Sequence, residues 1–469
     1  MSQVEQSRVL LERRSIEYIP ENERRGKVSS QFTLWLAANL QITAVMTGAL
    51  TVVWGGDALW SMAGLLLGQA IGAAIMALHG AQGPKLGLPQ MLASRAQFGA
   101  LGAVLPLILA CAMYLGFNAT GMLLSGQALG QLLGVHDAWG VAVFAIAVIA
   151  AAALGYHAIH RLGKLASALG LAAFAYLFFR LLGHEALPQL MAAHHVFQPG
   201  AFFTTVSLAA SWQIAFAPYV SDYSRYLPRA TSSTKVALAI GLGSAIGAQL
   251  SMSLGVLVAA IGGAAFRGHE VAYFVGLGAS GIIASALFFC VAFGKITISA
   301  LNAYGGFMCL SAIADACGGI RLRRGVTVLA LALVSAGVAV AAQHGFLALF
   351  KSFLLVLLAF FTPWSAVNLV DFYLLSDGKV DPQALSDPKG RYAGWNKAGL
   401  AAYASGLLIQ IPFVDCAFYT GPMVKWLGGV DISWLMGWLL PAVVYGLIGA
   451  RARTDAAAPR AISIPQKGE

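Results

Sequence analysis

The sequence predicts an all-α polytopic membrane protein with about twelve transmembrane helices, ten in a five-plus-five inverted repeat and two more at the C-terminal end. Three observations predict it: the hydropathy pattern, the alternation of positive charge between segments, and a short string that recurs in inverted orientation. Of the 469 residues, 59% are hydrophobic and only 10% charged, whereas soluble domains carry roughly 25% charged residues. A soluble chain of this length would divide into about three domains. No stretch is polar enough to begin one. The apolar segments are solid rather than alternating, which predicts helices and not a barrel.

Taken in order, residues 1–29 read as a polar cytoplasmic tail. They hold Glu12, Arg13, Arg14, Glu17, Glu21, Glu23, Arg24 and Arg25, without the apolar core or small-residue cleavage site of a signal peptide. A crossing needs about 20 apolar residues. Spans on that scale fall at 30–54, 60–79, 100–127, 138–157 and 163–183, a first repeat over 30–183. The second repeat, 202–375, holds spans at 202–221, 236–263, 276–304, 325–343 and 346–375. A loop and two spans, 397–414 and 432–450, fill 376–450, and 451–469 form a second cytoplasmic tail.

Charge sets the direction. With the N-terminus in the cytoplasm, the inner segments hold six Lys and Arg in the tail, then Lys85 and Arg95, Arg161 and Lys164, and Arg225, Arg229 and Lys235. They continue with Arg321, Arg323 and Arg324, then Lys379, Lys389, Arg391 and Lys397, and end with Arg451, Arg453, Arg460 and Lys467, making 24 of the 29. The outer loops keep Arg180, Arg267 and Lys425, while Lys295 and Lys351 lie inside spans. This skew predicts a bacterial inner-membrane protein with both termini inside. The net charge of +10 is dealt out between spans rather than gathered into a patch, so no nucleic-acid partner is expected. The lipid bilayer is the expected surrounding, and nothing in the pattern calls for more than a monomer. Cys111, Cys290, Cys309, Cys317 and Cys416 show neither metal spacing nor a disulfide framework and read as small apolar residues.

Two spans are expected to be interrupted. The first carries Asn39 and Gln41 at mid-depth; the sixth carries Ser211, Trp212 and Gln213, then Pro218. Amides and a proline there weaken a continuous helix, because freed backbone groups must find new partners. The string Ala37-Ala38-Asn39-Leu40-Gln41-Ile42 matches Ala209-Ala210-Ser211-Trp212-Gln213-Ile214 at four of six positions. Five spans separate the two strings, an odd number that inverts the second half. Transporters place such broken helices around a central site.

The polar residues at mid-membrane depth are few: Asn39, Gln41, Tyr114, Asn118, Trp212, Gln213, Lys295, Thr297 and Asn302. Such residues usually face a cavity, although interhelical amides also serve as glue within a bundle. Tyr114 and Asn118 are four apart and share a helix face. Thr297 and Asn302, five apart, diverge by roughly 140°. Amides supply donors and acceptors, and Tyr and Trp supply flat surfaces. The set suits a small, neutral, planar, hydrogen-bonding ligand such as a heterocyclic base. Lys295 either snorkels to an interface or serves as a titrating or fixed cation in place of a metal ion. Lys351, near a span end, reads as snorkelling.

Several strings identify a resemblance. Ile16-Glu17-Tyr18-Ile19-Pro20 precedes the first span, Gly83-Pro84-Lys85-Leu86-Gly87-Leu88-Pro89-Gln90-Met91 follows the second, and Ala217-Pro218-Tyr219-Val220-Ser221-Asp222-Tyr223-Ser224-Arg225-Tyr226-Leu227-Pro228 closes the sixth. With Asn302-Ala303-Tyr304, Asp371-Phe372-Tyr373 and Gly394-Trp395-Asn396, the chain resembles the nucleobase:cation symporter family, purine–cytosine permease branch. The resemblance implies the inverted-repeat fold shared with sodium-coupled amino-acid symporters and uptake of a nucleobase with a proton or sodium ion. It implies substrate contacts at Gln41, Tyr114, Asn118, Trp212, Gln213 and Asn302, with a tyrosine at position 114 where the family usually has tryptophan. It also implies a coupling site beside the carbonyl of Ala38, with Gln41, Lys295 and Thr297. Sodium-coupled members carry a hydroxyl pair on the eighth helix, where this chain has Ile296-Thr297 beside Lys295. One hydroxyl is missing and a cation stands next to the site, which favours the proton over sodium.

The expected function is therefore a secondary symporter importing a nucleobase such as cytosine or a purine by alternating access. Another heterocycle (a hydantoin, allantoin or a vitamin precursor), sodium coupling, and a membrane nutrient sensor are the alternatives. An enzyme is not expected, since the spans lack clustered His, Glu or Asp for metal or acid–base work. No cofactor, metal or catalytic residue is expected.

Overall fold

The computed structural model describes residues 18–153, 156–378, 380–381, 384–385, 390–416 and 419–457. Most of the two expected tails lies outside the described residues: 1–17, with Glu12, Arg13, Arg14, Ile16 and Glu17, and 458–469, with Arg460 and Lys467. Lys379 and Lys389 lie outside them too, as do the side chains of His157, His160, Arg161, Lys164, Arg451 and Arg453.

Twelve helical spans cross between two faces. The first is a broken pair, Val28–Asn39 and Ile42–Val53, bent by 57°. The next four are Ala58–Gly80, Val104–Leu133, Asp137–Ala153 and Tyr156–Leu182. The sixth is again interrupted: Pro199–Ile214, a turn over 215–219, and Val220–Ser224. Ser233–Gly262, Gly281–Gly318, Arg324–Ala341 and Phe346–Leu369 follow, then Lys397–Gln410 and Ser433–Ala457. Six of these are long and apolar enough to cross a bilayer as single helices, and the bent first pair makes a seventh. Of the others, three contribute shorter apolar stretches, Asp137–Ala151, Ala168–Leu182 and Ser433–Gly449, while the sixth is divided and Lys397–Gln410 is short. Short helices at Gly83–Leu86, Gln90–Ala93 and Arg95–Phe98 cover the face that holds the N-terminal tail, while Ala186–Ala192 and Glu270–Gly276 lie on the far face.

The eighth span differs most from its expected bounds, continuing fourteen residues past 304 to Gly318. No strong helix breaker occurs in Phe307–Cys317, and the helix ends only where Gly319 adopts φ +66°. Lys295 is thus the fifteenth of its 38 residues.

Helix pairing carries the signature of inversion. The second span packs along the sixth, and the seventh along the first; the third meets the ninth, and the eighth meets the fourth. Each contact maps onto its partner when the halves exchange. Glycine stripes make the first two contacts close. A Cβ at Gly68 would stand 2.4 Å from the Val206 carbonyl oxygen, and one at Gly255 would stand 1.8 Å from the Val45 oxygen. Backbones approach this closely only without side chains between them. Large apolar residues such as Leu66, Ile146, Phe179 and Leu447 face outward, as a bilayer-facing surface requires.

Candidate transport site

The first break spans two residues. Leu40 sits at φ −82°, ψ 72° and Gln41 at φ −149°, ψ 156°, so the helix that ends at Asn39 restarts at Ile42. Freed backbone groups at membrane depth need protein partners. Gln41 turns its Nε2 back to the Ala38 carbonyl at 2.7 Å, and Ser251 of the seventh span donates to the Asn39 carbonyl at 2.8 Å. The eighth span meets side chains at the break rather than its backbone. Lys295 Nζ donates to Gln41 Oε1 at 2.6 Å and to Thr43 Oγ1 at 3.3 Å.

Lys295 is 3% exposed and reaches no interface, so it does not snorkel. Its room comes from Gly121 on the third span, where a Cβ would lie 2.7 Å from Lys295 Cε. Lys351, by contrast, stacks its ammonium 5.1 Å from the ring centre of Trp54 at the far face.

The sixth break is longer and lined by rings. Pro218 offers no backbone N–H and disfavours a helical residue before it, and the chain passes 215–219 in hydrogen-bonded turns instead of a continuous α-helix. Phe216 in those turns lies 5.3 Å from Trp35 and 5.7 Å from Trp212. Tyr219 lies 5.4 Å from Tyr114, and Phe117 stands edge-on to Trp212 at 5.7 Å.

The two broken helices are tied directly. Trp212 Nε1 donates to Asn39 Oδ1 at 2.6 Å, Asn39 Nδ2 to Ser244 Oγ at 3.0 Å, and Ser244 Oγ to Gln213 Oε1 at 2.6 Å. Gln213 Nε2 donates in turn to Gln69 Oε1. Gln213, expected to contact the substrate, has both ends of its amide bonded within the protein here. It is fully buried, and its partners lie on the second and seventh spans.

The other expected residues are distributed as follows. Tyr114 packs its ring on Gly305 of the eighth span, where a Cβ would lie 2.4 Å from Cζ. Asn118, one turn on, donates Nδ2 to Ser335 Oγ at 3.2 Å, while its Oδ1 is buried without a partner. A buried orphan acceptor is costly. Asn302 is half-buried and bonds to no described residue. Ala38, Gln41 and Lys295 are brought together; Thr297 is not. Two residues from Lys295 it faces away, its methyl against Gly163 of the fifth span and its Oγ1 buried without a partner.

Sequence reasoning missed Thr43, Gly121, Ser244 and Gln69. Hydroxyls and glycines are frequent in spans, so nothing local sets these apart. Gln69 alone, an amide in the middle of the second span, was a visible signal.

Comparison with known proteins adds the following. Residues 18–437 match the model of a family described as permease for cytosine/purines, uracil, thiamine, allantoin. A putative purine-cytosine permease of Bacillus subtilis is 35% identical over 443 residues, covering 93% of this chain and 95% of that protein. A purine-cytosine permease of Emericella nidulans is 22% identical over 93% of this chain and 87% of its own. Among solved structures, the inward-facing conformation of Mhp1 superposes with TM-score 0.77 at 18% identity, covering 94% of each chain. Mhp1, a nucleobase-cation-symport-1 family transporter, in a closed conformation with bromovinylhydantoin bound, gives 0.75 at 18% identity over 95% and 96%.

Proposed function

This chain belongs to the family of permeases for cytosine and purines, uracil, thiamine and allantoin, and we propose that it imports a nucleobase such as cytosine or a purine together with a proton. Members of the family are transporters, not enzymes. The observation that carries the proposal is the Lys295 ammonium seated on Gln41 and Thr43 at the first break.

A bare buried ion costs several kcal/mol. Against this stand two hydrogen bonds to a charged group, about 1.5–3 kcal/mol each. The two sides are similar in size, so the charge on Lys295 depends on Gln41 and Thr43 staying in place. Rocking of the first helix removes them and lets the proton leave. Gln41 belongs to both jobs: it anchors the ammonium and stands at the break that borders the substrate. Base binding and proton binding thereby bias the same helix.

In the proposed site the base stacks among Tyr114, Trp212 and the rings of the sixth break, and the orphan Oδ1 of Asn118 accepts from a ring N–H or exocyclic amine. Asn302 contributes a second amide. Gln213 is reserved for a conformation in which the seventh span releases it, and Thr297 for one in which the fifth moves. The distribution of Lys and Arg supports a bacterial inner-membrane protein with the N-terminal face in the cytoplasm.

Counterflow in proteoliposomes tests this, with labelled nucleobases, hydantoins and vitamin precursors, and with pH and sodium gradients imposed separately. A nucleobase is expected to compete and a pH gradient to drive accumulation. Competition by a hydantoin alone, the class of ligand seen in the bound Mhp1 structure, overturns the substrate. Sodium-driven uptake that Lys295→Ala leaves unchanged overturns the coupling.

A further inference from the structure

Away from the broken helices, on the N-terminal face, a cavity of about 310 Å³ opens where the second connector meets the start of the eleventh span. Arg95, Gly99, Arg391, Trp395, Asn396 and Lys397 are among its lining residues. Three of these are cations, and no carboxylate lines the cavity among the described residues.

Arg95 is 6% exposed. One Nη donates to the Leu385 carbonyl at 3.2 Å and the other to Asp315 at 3.3 Å. Its Nε is buried with no partner. An unmet guanidinium N–H under a cavity wall is costly, and the Asp315 carboxylate, 59% exposed, offsets little of the charge.

The helix Lys397–Gln410 starts in the same wall, with Asn396 Oδ1 accepting from the backbone of Ala398 and Gly399. A helix of that length places partial positive charge at its first turn and favours an anion there. The walls are fixed by backbone bonds: Ala100 N to the Tyr392 carbonyl at 2.8 Å, Leu101 N to that of Gly394 at 2.9 Å, and Asn396 N to that of Phe98 at 2.8 Å. Arg391 lies 4.5 Å over the Tyr392 ring, and Trp395 is exposed beside it.

We infer that this cavity is a second ligand site, separate from the transport path, for a phosphate-bearing anion held by Arg95, Arg391 and Lys397. Arg391 and Lys397 bring a guanidinium and an ammonium to a cavity that no carboxylate lines among the described residues, beside Arg95, whose one bridge is to the exposed Asp315; such groups match phosphate oxygens. Two sources share this chemistry: the headgroup of an anionic phospholipid and free phosphate in the adjoining solution.

The test uses the full chain purified in detergent. Native mass spectrometry counts retained phosphatidylglycerol against phosphatidylcholine, and thermal melting compares inorganic phosphate with chloride at equal ionic strength. The variant is Arg391→Gln/Lys397→Gln, both exposed in the wild type, so its unliganded melting checks the fold. One tightly retained phosphatidylglycerol, bound about tenfold more weakly by the variant, identifies the lipid. A melting shift with inorganic phosphate alone, lost in the variant, identifies free phosphate. Equal phosphatidylglycerol retention by both proteins, with no phosphate-dependent shift in either, overturns the inference.

Discussion

The two breaks occupy equivalent places in the inverted halves yet are built from different chemistry. The first is two residues long and polar: an amide, a threonine hydroxyl and a buried ammonium close it. The sixth is five residues long, contains Pro218 and is lined with Phe216, Tyr219 and Trp212. Even the matching strings behave differently. Gln41 lies in the break, whereas its counterpart Gln213 is still helical and buried. In the proposed mechanism the two halves share one architecture and divide the work. The charged break suits coupling; the aromatic break suits a flat ligand.

The largest test of that division is Lys295→Met. Gradient-driven accumulation should fall to background while counterflow of substrate persists, because exchange needs no net proton movement. Loss of both would merge the two breaks into one function.

Next come the rings. Trp212→Ala should weaken substrate binding by about 10- to 100-fold, from a stacking contribution of roughly 1–3 kcal/mol per base. The driving-ion preference should stay unchanged. Asn118→Ala should weaken binding by about tenfold through loss of one acceptor. An equilibrium titration by tryptophan fluorescence reads both, and unchanged affinity in both would move the site away from the sixth break.

Packing beneath the breaks gives a smaller contrast. A Cβ at Gly48 would stand 1.9 Å from the Met252 carbonyl oxygen, but one at Gly72 would meet Gln213 Cβ at 2.8 Å. Both contacts are overpacked, at about 1–3 kcal/mol, and Gly48→Ala should lower the melting temperature more than Gly72→Ala. Equal losses would show the two halves to be equally tight.

The smallest effect is expected far from both breaks. His195 Nδ1 lies 2.8 Å from Asp57 Oδ2, and hydrogen bonds to Asp57 and to the Met191 carbonyl raise its pKa above the usual value. A raised histidine stabilises the fold fully below its unfolded pKa of about 6.5 and loses that contribution as pH rises through the folded value. The wild type should therefore lose slightly more thermal stability than His195→Ala as pH rises from about 6 to about 8. Transport coupling should be identical in the two proteins.

Reading along the chain reached the all-helical architecture of about twelve spans and the two interrupted ones. Hydropathy, charge and helix breaking depend on neighbours in the chain, so a linear reading reaches them. It also singled out Lys295 as a cation that could not rest in lipid. Packing settled the rest: Lys295 meets Gln41 across 254 positions, Trp212 bonds to Asn39, and Gln213 is held while Asn118 keeps an open acceptor. Those outcomes depend on how closely backbones pass at residues such as Gly121 and Gly305, and on which side chain arrives first at each freed group. Both are properties of helices packed in three dimensions, and neither is written in any one helix alone.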